Sequence, residues 1–219
     1  MIKRLLLHVC CAPDATVPFR DLKAEGWSEI VGYFYGSNIH PEDEYRRRAA
    51  TLDFLSEREG VFVSMRPYEP EEWLVHASPL ADEPERGARC ALCFALQLRA
   101  AAEEGERRGV THLSTTLSIS PHKDAALISR LGREAAASRG LTWEDRIWRK
   151  NNGFLRSVQI SKELRLYRQN YCGCLYSRPD RGLPERSGIC GASAGPTTLK
   201  ASVYDARIQH ARKTPPGNS

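Results

Sequence analysis

Four short apolar runs recur between longer stretches of helical periodicity, and this alternation constrains the chain more than any other feature. The runs are KRLLLHVC (3–10), EIVGYFYG (29–36), VFVSMRP (61–67) and THLSTTLSI (111–119). Each is rich in aliphatic, aromatic or β-branched residues and too short for a buried helix, so each reads as a strand. Helical segments separate them. Pro13 and Asp14 open one helix, with Phe19 and Leu22 at helical spacing. Residues 41–60 form another, with a proline and acids in the first turn, a glycine at the end, and Tyr45, Ala49, Leu52 and Leu55 along its inner face. Residues 90–109 and 122–140 form two more, and Trp73 sits in a short helix within an acidic stretch. Strands alternating with helices predict an α/β fold: a parallel sheet with flanking helices, Rossmann-like, followed by a helical C-terminal segment of two short helices within 151–170.

In an open sheet of this kind the ligand lies beyond the carboxyl ends of the strands. Cys10 and Cys11 end the first strand, Gly36, Ser37 and Asn38 the second, and residues 118–121 the fourth. These segments are expected to share one rim.

The chain has 219 residues, of which 41% are hydrophobic, enough for a core. No stretch approaches the ~18 consecutive apolar residues of a membrane span. The apolar run at the N-terminus is shorter than the ~7–15 residues of a signal-peptide core, so a cytoplasmic protein with no membrane partner is expected. In a reducing compartment seven cysteines point to metal binding or redox chemistry rather than to structural disulfides.

Six of them fall in three groups. Cys10-Cys11 is a vicinal pair at a strand end. Adjacent side chains on an extended segment point to opposite faces, so these two thiols are expected to converge poorly on one small ion and to suit a larger object or two objects. Cys90-x-x-Cys93 lies at a helix N-terminus, where the spacing puts both thiols on one face and the helix dipole favours thiolates. Cys172-x-Cys174 is too tight for ordinary pairing. It supplies either a strained, easily reduced disulfide or further metal ligands, and spacing does not choose between them. Cys190 stands alone. Four soft thiolates fit tetrahedral zinc or an iron–sulfur cluster, and a vicinal pair makes a poor zinc knuckle, which favours the cluster. Asp14, four residues after Cys10, is either a carboxylate stabilising the helix it starts or a hard oxygen ligand for a second metal.

Charge is unevenly spread. Residues 1–109 carry a net −5 and residues 110–219 a net +10. The basic half suits a polyanion, with Lys123, Arg149, Lys150, Arg156, Lys162, Arg165 and Arg168 as backbone contacts and Trp148, Tyr167 and Tyr171 as stacking surfaces. Core packing for the aromatics and a solvated face for the charges are the plainer alternatives. His40 and His122, near strand-end loops, are candidate proton donors.

HVCCAPDA, YFYGSNIHPEDEYRRR, GARCALCFALQLRAAA, STTLSISPHKD and LYRQNYCGCLYS, in this order, resemble the QueH-type epoxyqueuosine reductases over residues 4–177. The resemblance implies an adenine nucleotide α-hydrolase-like fold and a catalytic domain spanning 1–177; after Ser177 the composition shifts to Gly, Pro, Ser, Arg and Ala with little apolar periodicity, so 178–219 is expected to be a flexible tail. It implies reduction of epoxyqueuosine to queuosine at the wobble position of tRNAs with GUN anticodons, those for Tyr, His, Asn and Asp. It implies a [4Fe-4S] cluster held by Cys10, Cys11, Cys90 and Cys93, and an adjacent metal ion, iron, held in part by Asp14. Cys172 and Cys174 join Asp14 as catalytic residues. Asn38, His122, Lys123, Arg149, Lys150 and Arg168 are candidate substrate or RNA contacts, and the electron donor is unidentified. Two loops depart from the family pattern: Tyr35-Gly36-Ser37-Asn38 replaces Tyr-Asn-Pro-Asn, and Ile147-Trp148-Arg149-Lys150 replaces Asp-Phe-Arg-Lys.

The chemistry of the residues agrees with this. Removing an epoxide oxygen as water takes two electrons and two protons. Thiolate-bound iron can relay the electrons, and an oxophilic ion can act as a Lewis acid. The alternative is a zinc-bearing RNA-binding or non-redox RNA-modifying protein. An adenylating thiolase is disfavoured, because CCAPDA occupies the place of the Ser-Gly-Gly-x-Asp-Ser loop that would cradle pyrophosphate.

Overall fold

The computed structural model describes residues 3–178. The expected tail from 178 onward therefore lies, apart from Arg178, outside the described residues, as does Cys190. The five strands are β1 (Arg4–Val9), β2 (Glu29–Phe34), β3 (Val63–Met65), β4 (His112–Thr115) and β5 (Thr142–Trp143). They form one all-parallel sheet in the order β3-β2-β1-β4-β5. The helices are α1 (Ala12–Ala24), α2 (Glu42–Glu59), α3 (Pro70–Ala77), α4 (Ala88–Arg107), α5 (Ala125–Ala137) and α6 (Gly153–Glu163). The expected Rossmann-like α/β architecture is what forms.

β1 is the middle strand and is paired on both edges. Its side chains alternate between two cores. Leu5, Leu7 and Val9 pack with Phe19, Leu22, Leu52 and Leu55 from α1 and α2, while Leu6 packs with Leu98, Ala101 and Leu113 on the α4 side. Each of these aliphatic side chains stabilises the fold by roughly 1.5–3 kcal/mol through burial. Gly32 on β2 permits the close approach of α1. A Cβ there would lie 2.8 Å from Val63 Cγ2 and 3.4 Å from the Phe19 ring.

Three local expectations are corrected. The fourth strand ends at Thr115, and residues Thr116–Ile119 form a 3-10 turn. The turn starts there because the Thr115 hydroxyl accepts the Leu117 N–H and caps it. A fifth strand, Thr142–Trp143, is added at the sheet edge; its two residues are too few to show a period in sequence. The two helices expected within 151–170 are one, α6, which ends at Glu163 with Leu164 as its C-cap. Arg165, with φ +52°, then turns the chain out of the helix. No helix is long and apolar enough to cross a membrane among the described residues.

Glu104 ties α4 to β3. Its carboxylate accepts from Ser64 at 2.8 Å and from Arg107 through two 2.8 Å bonds, with Arg108 beside it. Burial pushes its carboxyl up, but the bonds from Arg108, Arg107 and Ser64 outweigh burial and hold it below the usual 4.5. A carboxylate depressed in the folded state adds stability above its unfolded pKa and loses it as pH falls through the folded value. Glu104→Gln is therefore expected to flatten the loss of stability below about pH 4.5. Urea midpoints measured between pH 3 and 7 check this, and an unchanged acid limb would refute it.

Candidate metal centre

β1 and β4 are neighbours in the sheet, but their following segments leave in different directions, and the thiols gather at that divergence. The Cys10 backbone N–H bridges it by donating to Thr116 Oγ1 at 3.1 Å. Cys11 caps the N-terminus of α1, and Asp14 lies in the first turn of that helix. Ligand atoms of Cys10, Cys11 and Asp14 all lie within 4.8 Å of one another. The expectation that Cys10 and Cys11 diverge is therefore corrected. Strand alternation stops at Val9, and the bend at Cys10 lets both sulfurs approach the same carboxylate.

Cys90 and Cys93 arrive on the first turns of α4. A cavity of about 630 Å³ opens among the strand ends, and Cys10, Asp14, Cys90, Cys93, Cys172 and Cys174 all line it. Three cysteine groups separated by up to 160 residues thus share one space, and Cys11 sits just behind its wall. The six described cysteines are all free thiols. This donor set of soft sulfurs with one hard carboxylate fits thiophilic metal, and the cavity exceeds the needs of a lone ion.

The electrostatics favour ionised sulfur at Cys10. The bond from the Cys11 thiol lowers its pKa, burial opposes this, and the Lys123 charge and the Thr116 hydroxyl lower it further. Cys11, as donor to Cys10, is pushed up. Lys123 Nζ lies 3.9 Å from Cys10 Sγ. Burial works against the Lys123 ammonium, but negative charge at Cys10, Cys172 and Asp14 outweighs burial and keeps it protonated. Burial pushes the Cys93 thiol up, against which Gln97 Nε2 donates to its sulfur at 3.1 Å. The Arg86 backbone N–H donates to Cys90 Sγ at 3.2 Å. A bound cation would displace the thiol protons at each of these sulfurs.

The remaining sequence candidates separate. His122, Lys123 and Arg168 line the cavity. Asn38 is buried and lies outside its lining, as do Arg149 and Lys150. Arg149 fastens the loop that carries Lys123, its Nη1 donating to Ser120 O at 3.2 Å and Lys123 O at 3.0 Å. Arg156 is paired with Asp21 at 2.6 Å. Lys150, Lys162 and Arg165 are exposed and make no ion pair among the described residues. Trp148 is committed to the core, its Nε1 donating to Thr115 O. The Tyr167 hydroxyl donates to Glu44 at 2.9 Å, whereas Tyr171 borders the cavity. His40 is buried beside Trp73, with a ring separation of 5.5 Å.

Several contributing residues carried no role in the sequence reading. His8, on β1, is wholly buried behind the thiols, and burial followed by the Lys123 charge brings its pKa down to about 3, so it is neutral. Gln97 stands one helical turn after Cys93, a spacing readable in sequence. Arg89 is buried, and its Nη1 gathers the carbonyls of Leu80, Ala81 and Glu83 beneath the cavity. Trp73 is fully buried in the cavity wall, and its indole N–H lacks a hydrogen-bond partner among the described residues.

Fold and site together define a Rossmann-like α/β protein with a thiol-rich, metal-capable centre at its topological switch point. The model of the family described as epoxyqueuosine reductase QueH matches residues 5–180. The epoxyqueuosine reductase QueH of Streptococcus pyogenes serotype M1 is 37% identical over 185 residues, 82% of this chain and 72% of that protein. Its counterpart from Thermotoga maritima is 35% identical over 181 residues, covering 81% of this chain and 91% of that one. The chain belongs to the epoxyqueuosine reductase QueH family. Among solved structures, the U34-tRNA thiolase NcsA from Methanococcus maripaludis, with its [4Fe-4S] cluster, superposes with a TM-score of 0.50 at 11% identity. That match covers 82% of this chain and 62% of the thiolase, and it shows a shared fold.

The ligand atoms of Cys10, Cys11 and Asp14 lie close enough together to hold a metal ion, which makes this group a candidate metal-binding element apart from Cys172-x-Cys174. Titrating anaerobic, metal-free protein with Co(II) and following thiolate-to-metal absorption is expected to show at least ~tenfold weaker binding for Cys10→Ala, since the soft donor is lost. Cys172→Ala is expected to bind as the parent does. Equal loss in both variants would refute the assignment.

Proposed function

We propose that this chain reduces epoxyqueuosine to queuosine in tRNA at the cavity lined by the three cysteine groups. Family membership makes the chain an epoxyqueuosine reductase, an oxidoreductase. The observation that carries the site assignment is the convergence of Cys10, Cys90, Cys93, Cys172 and Cys174 with Asp14 on one cavity at the strand ends. Cys10, Cys11, Cys90 and Cys93 would hold a [4Fe-4S] cluster, and Asp14 with a neighbouring thiolate would hold a single ion, proposed as iron. When bound, these groups supply one-electron relay and Lewis acidity toward an epoxide oxygen.

The chain's own residues account for the rest. The epoxide leaves as an alkene and water, which consumes two electrons and two protons. A dithiol closing to a disulfide releases two electrons and two protons, so Cys172 and Cys174 match this stoichiometry, with an external reductant restoring the thiols. Lys123 holds a positive charge beside Cys10, where negative charge on the departing oxygen would be stabilised. The substrate base must leave its stack to enter, which an anticodon loop permits. Phe94, Phe154 and Tyr171 offer flat surfaces to receive it. Arg86, His122 and Arg168 on the same cavity, with exposed Lys150, Lys162 and Arg165, face the RNA backbone in this reading. The tRNAs proposed are those for Tyr, His, Asn and Asp, with GUN anticodons, and the reaction is placed in the cytoplasm.

Anaerobic purification with metal and sulfide analysis tests the site. A broad absorption band near roughly 400 nm, with about five irons and four sulfides per chain, is expected. Asp14→Ala is expected to keep the band and sulfide while losing turnover of epoxyqueuosine tRNA. A colourless protein with one zinc and no sulfide would overturn the reading, and an active Asp14→Ala enzyme would remove Asp14 from it.

A further inference from the structure

Cys172-Gly173-Cys174 is the one cysteine group that no helix or strand positions; Cys174 merely starts a short 3-10 turn. It is held by a buried charge from elsewhere in the chain. Arg48, on α2, is 2% exposed, and each branch of its guanidinium is occupied. Nε donates to Glu44 Oε1 at 2.7 Å, Nη1 to Cys172 O at 2.9 Å and Nη2 to Tyr171 O at 3.2 Å. The guanidinium also stacks on the Tyr171 ring at 5.2 Å. Glu44 is itself anchored, because Tyr167 donates to its other oxygen at 2.9 Å. On the far side of the loop, the His40 N–H donates to Gly173 O at 2.8 Å. A buried arginine with two flanking carbonyls as its acceptors costs desolvation that a surface loop does not require.

The clamp acts on one conformation of the pair. Cys172 is exposed to the cavity, while Cys174 is buried against Trp73 and Cys93. Gly173 between them has φ +127°, a region that glycine tolerates. Both thiols border the cavity, and closing a disulfide between residues only two apart would require the backbone around Gly173 to turn. Both carbonyls that Arg48 grips would turn with it.

We propose that Arg48 is a positioning residue that holds Cys172 and Cys174 as an open dithiol over the metal cavity and so sets how readily the pair is oxidised. This deepens the reading of the pair as the electron store and rests on it. The relevant reaction transfers two hydrogens: two thiols become one S–S bond as the disulfide of oxidised dithiothreitol is reduced to its dithiol. An interaction present in the open dithiol and lost in the disulfide favours the reduced pair, so its removal shifts the balance toward the disulfide.

The test equilibrates anaerobic, metal-loaded protein with mixtures of reduced and oxidised dithiothreitol, quenches by alkylation, and measures the 172–174 peptide by mass spectrometry. Arg48→Lys keeps a cation for Glu44 but cannot span both carbonyls. It is expected to raise the disulfide-to-dithiol ratio about tenfold, a potential lower by about 30 mV for this two-electron couple. Tyr167→Phe, which frees one oxygen of Glu44 and leaves Arg48 in place, is expected to shift it about threefold the same way, or about 14 mV. Leu55→Ala, in the core at the other end of α2, lowers stability without touching the clamp and is expected to leave the ratio unchanged. Iron and sulfide contents, measured on every variant, are expected to match the parent. Ratios within twofold of the parent in both Arg48→Lys and Tyr167→Phe would overturn the proposal. So would a shift in Leu55→Ala as large as that in Arg48→Lys. Should Arg48→Lys fail to fold, Tyr167→Phe against Leu55→Ala decides. Full turnover by Cys172→Ala would refute the electron-store reading on its own, while the ratios would still report on the clamp.

Discussion

Everything at the candidate metal centre depends on β1 being hydrogen-bonded along both edges. A central parallel strand has no freedom to shift, because Leu5 to His8 are each in register with two neighbours: His8 lies opposite Tyr33 on one side and Thr115 on the other. The first residue past its end, Cys10, is therefore delivered to a defined point. There the paths after β1 and β4 separate, and the Cys10 N–H is satisfied by the Thr116 side chain rather than by another strand. Ligand sites form at such switch points because the diverging loops leave a crevice that no element fills. In this chain the crevice is furnished with sulfur.

Placing several sulfurs together is electrostatically unfavourable once they ionise, and the surroundings offset that. Lys123 brings positive charge to Cys10, Thr116 and Gln97 supply hydrogen bonds, and the Arg86 N–H reaches Cys90. The loops that carry these groups are held by buried or half-buried arginines gripping main-chain carbonyls. Arg89 fastens the segment before α4, Arg149 the loop before α5, and Arg48 the C-x-C segment. Part of the basic character of the second half is likewise spent on ion pairs within the chain, as in the pairs of Arg146 with Glu25 and Glu144 and of Arg156 with Asp21. Among the described residues, the basic charge left for a polyanion lies on the cavity lining and at exposed Lys150, Lys162 and Arg165.

The likeness to a tRNA thiolase is one of fold. A common sheet and crossover order does not carry a common reaction. In this chain the turn after β1 carries Cys10, Cys11 and Asp14, whose ligand atoms lie within 4.8 Å of one another.

The fold class, the order of elements and the identity of the thiols were legible in the sequence, because hydrophobic period and residue type are local properties. The unbroken run Leu5-Leu6-Leu7 announces a strand buried on both faces, Gly60 ends α2, and sulfur is sulfur wherever the chain carries it. What was not legible was convergence. Nothing between residues 11 and 172 states that Cys10 and Cys172 border one cavity, or that Cys10 and Cys11 turn toward a common carboxylate once the strand has ended. Nor could the sequence separate an arginine that meets RNA from one like Arg149 that grips its own backbone, since both read as a basic residue in a loop. Those assignments depend on which side chains tertiary packing brings within about 4 Å, a range over which charge and hydrogen bonding act but sequence distance has no meaning.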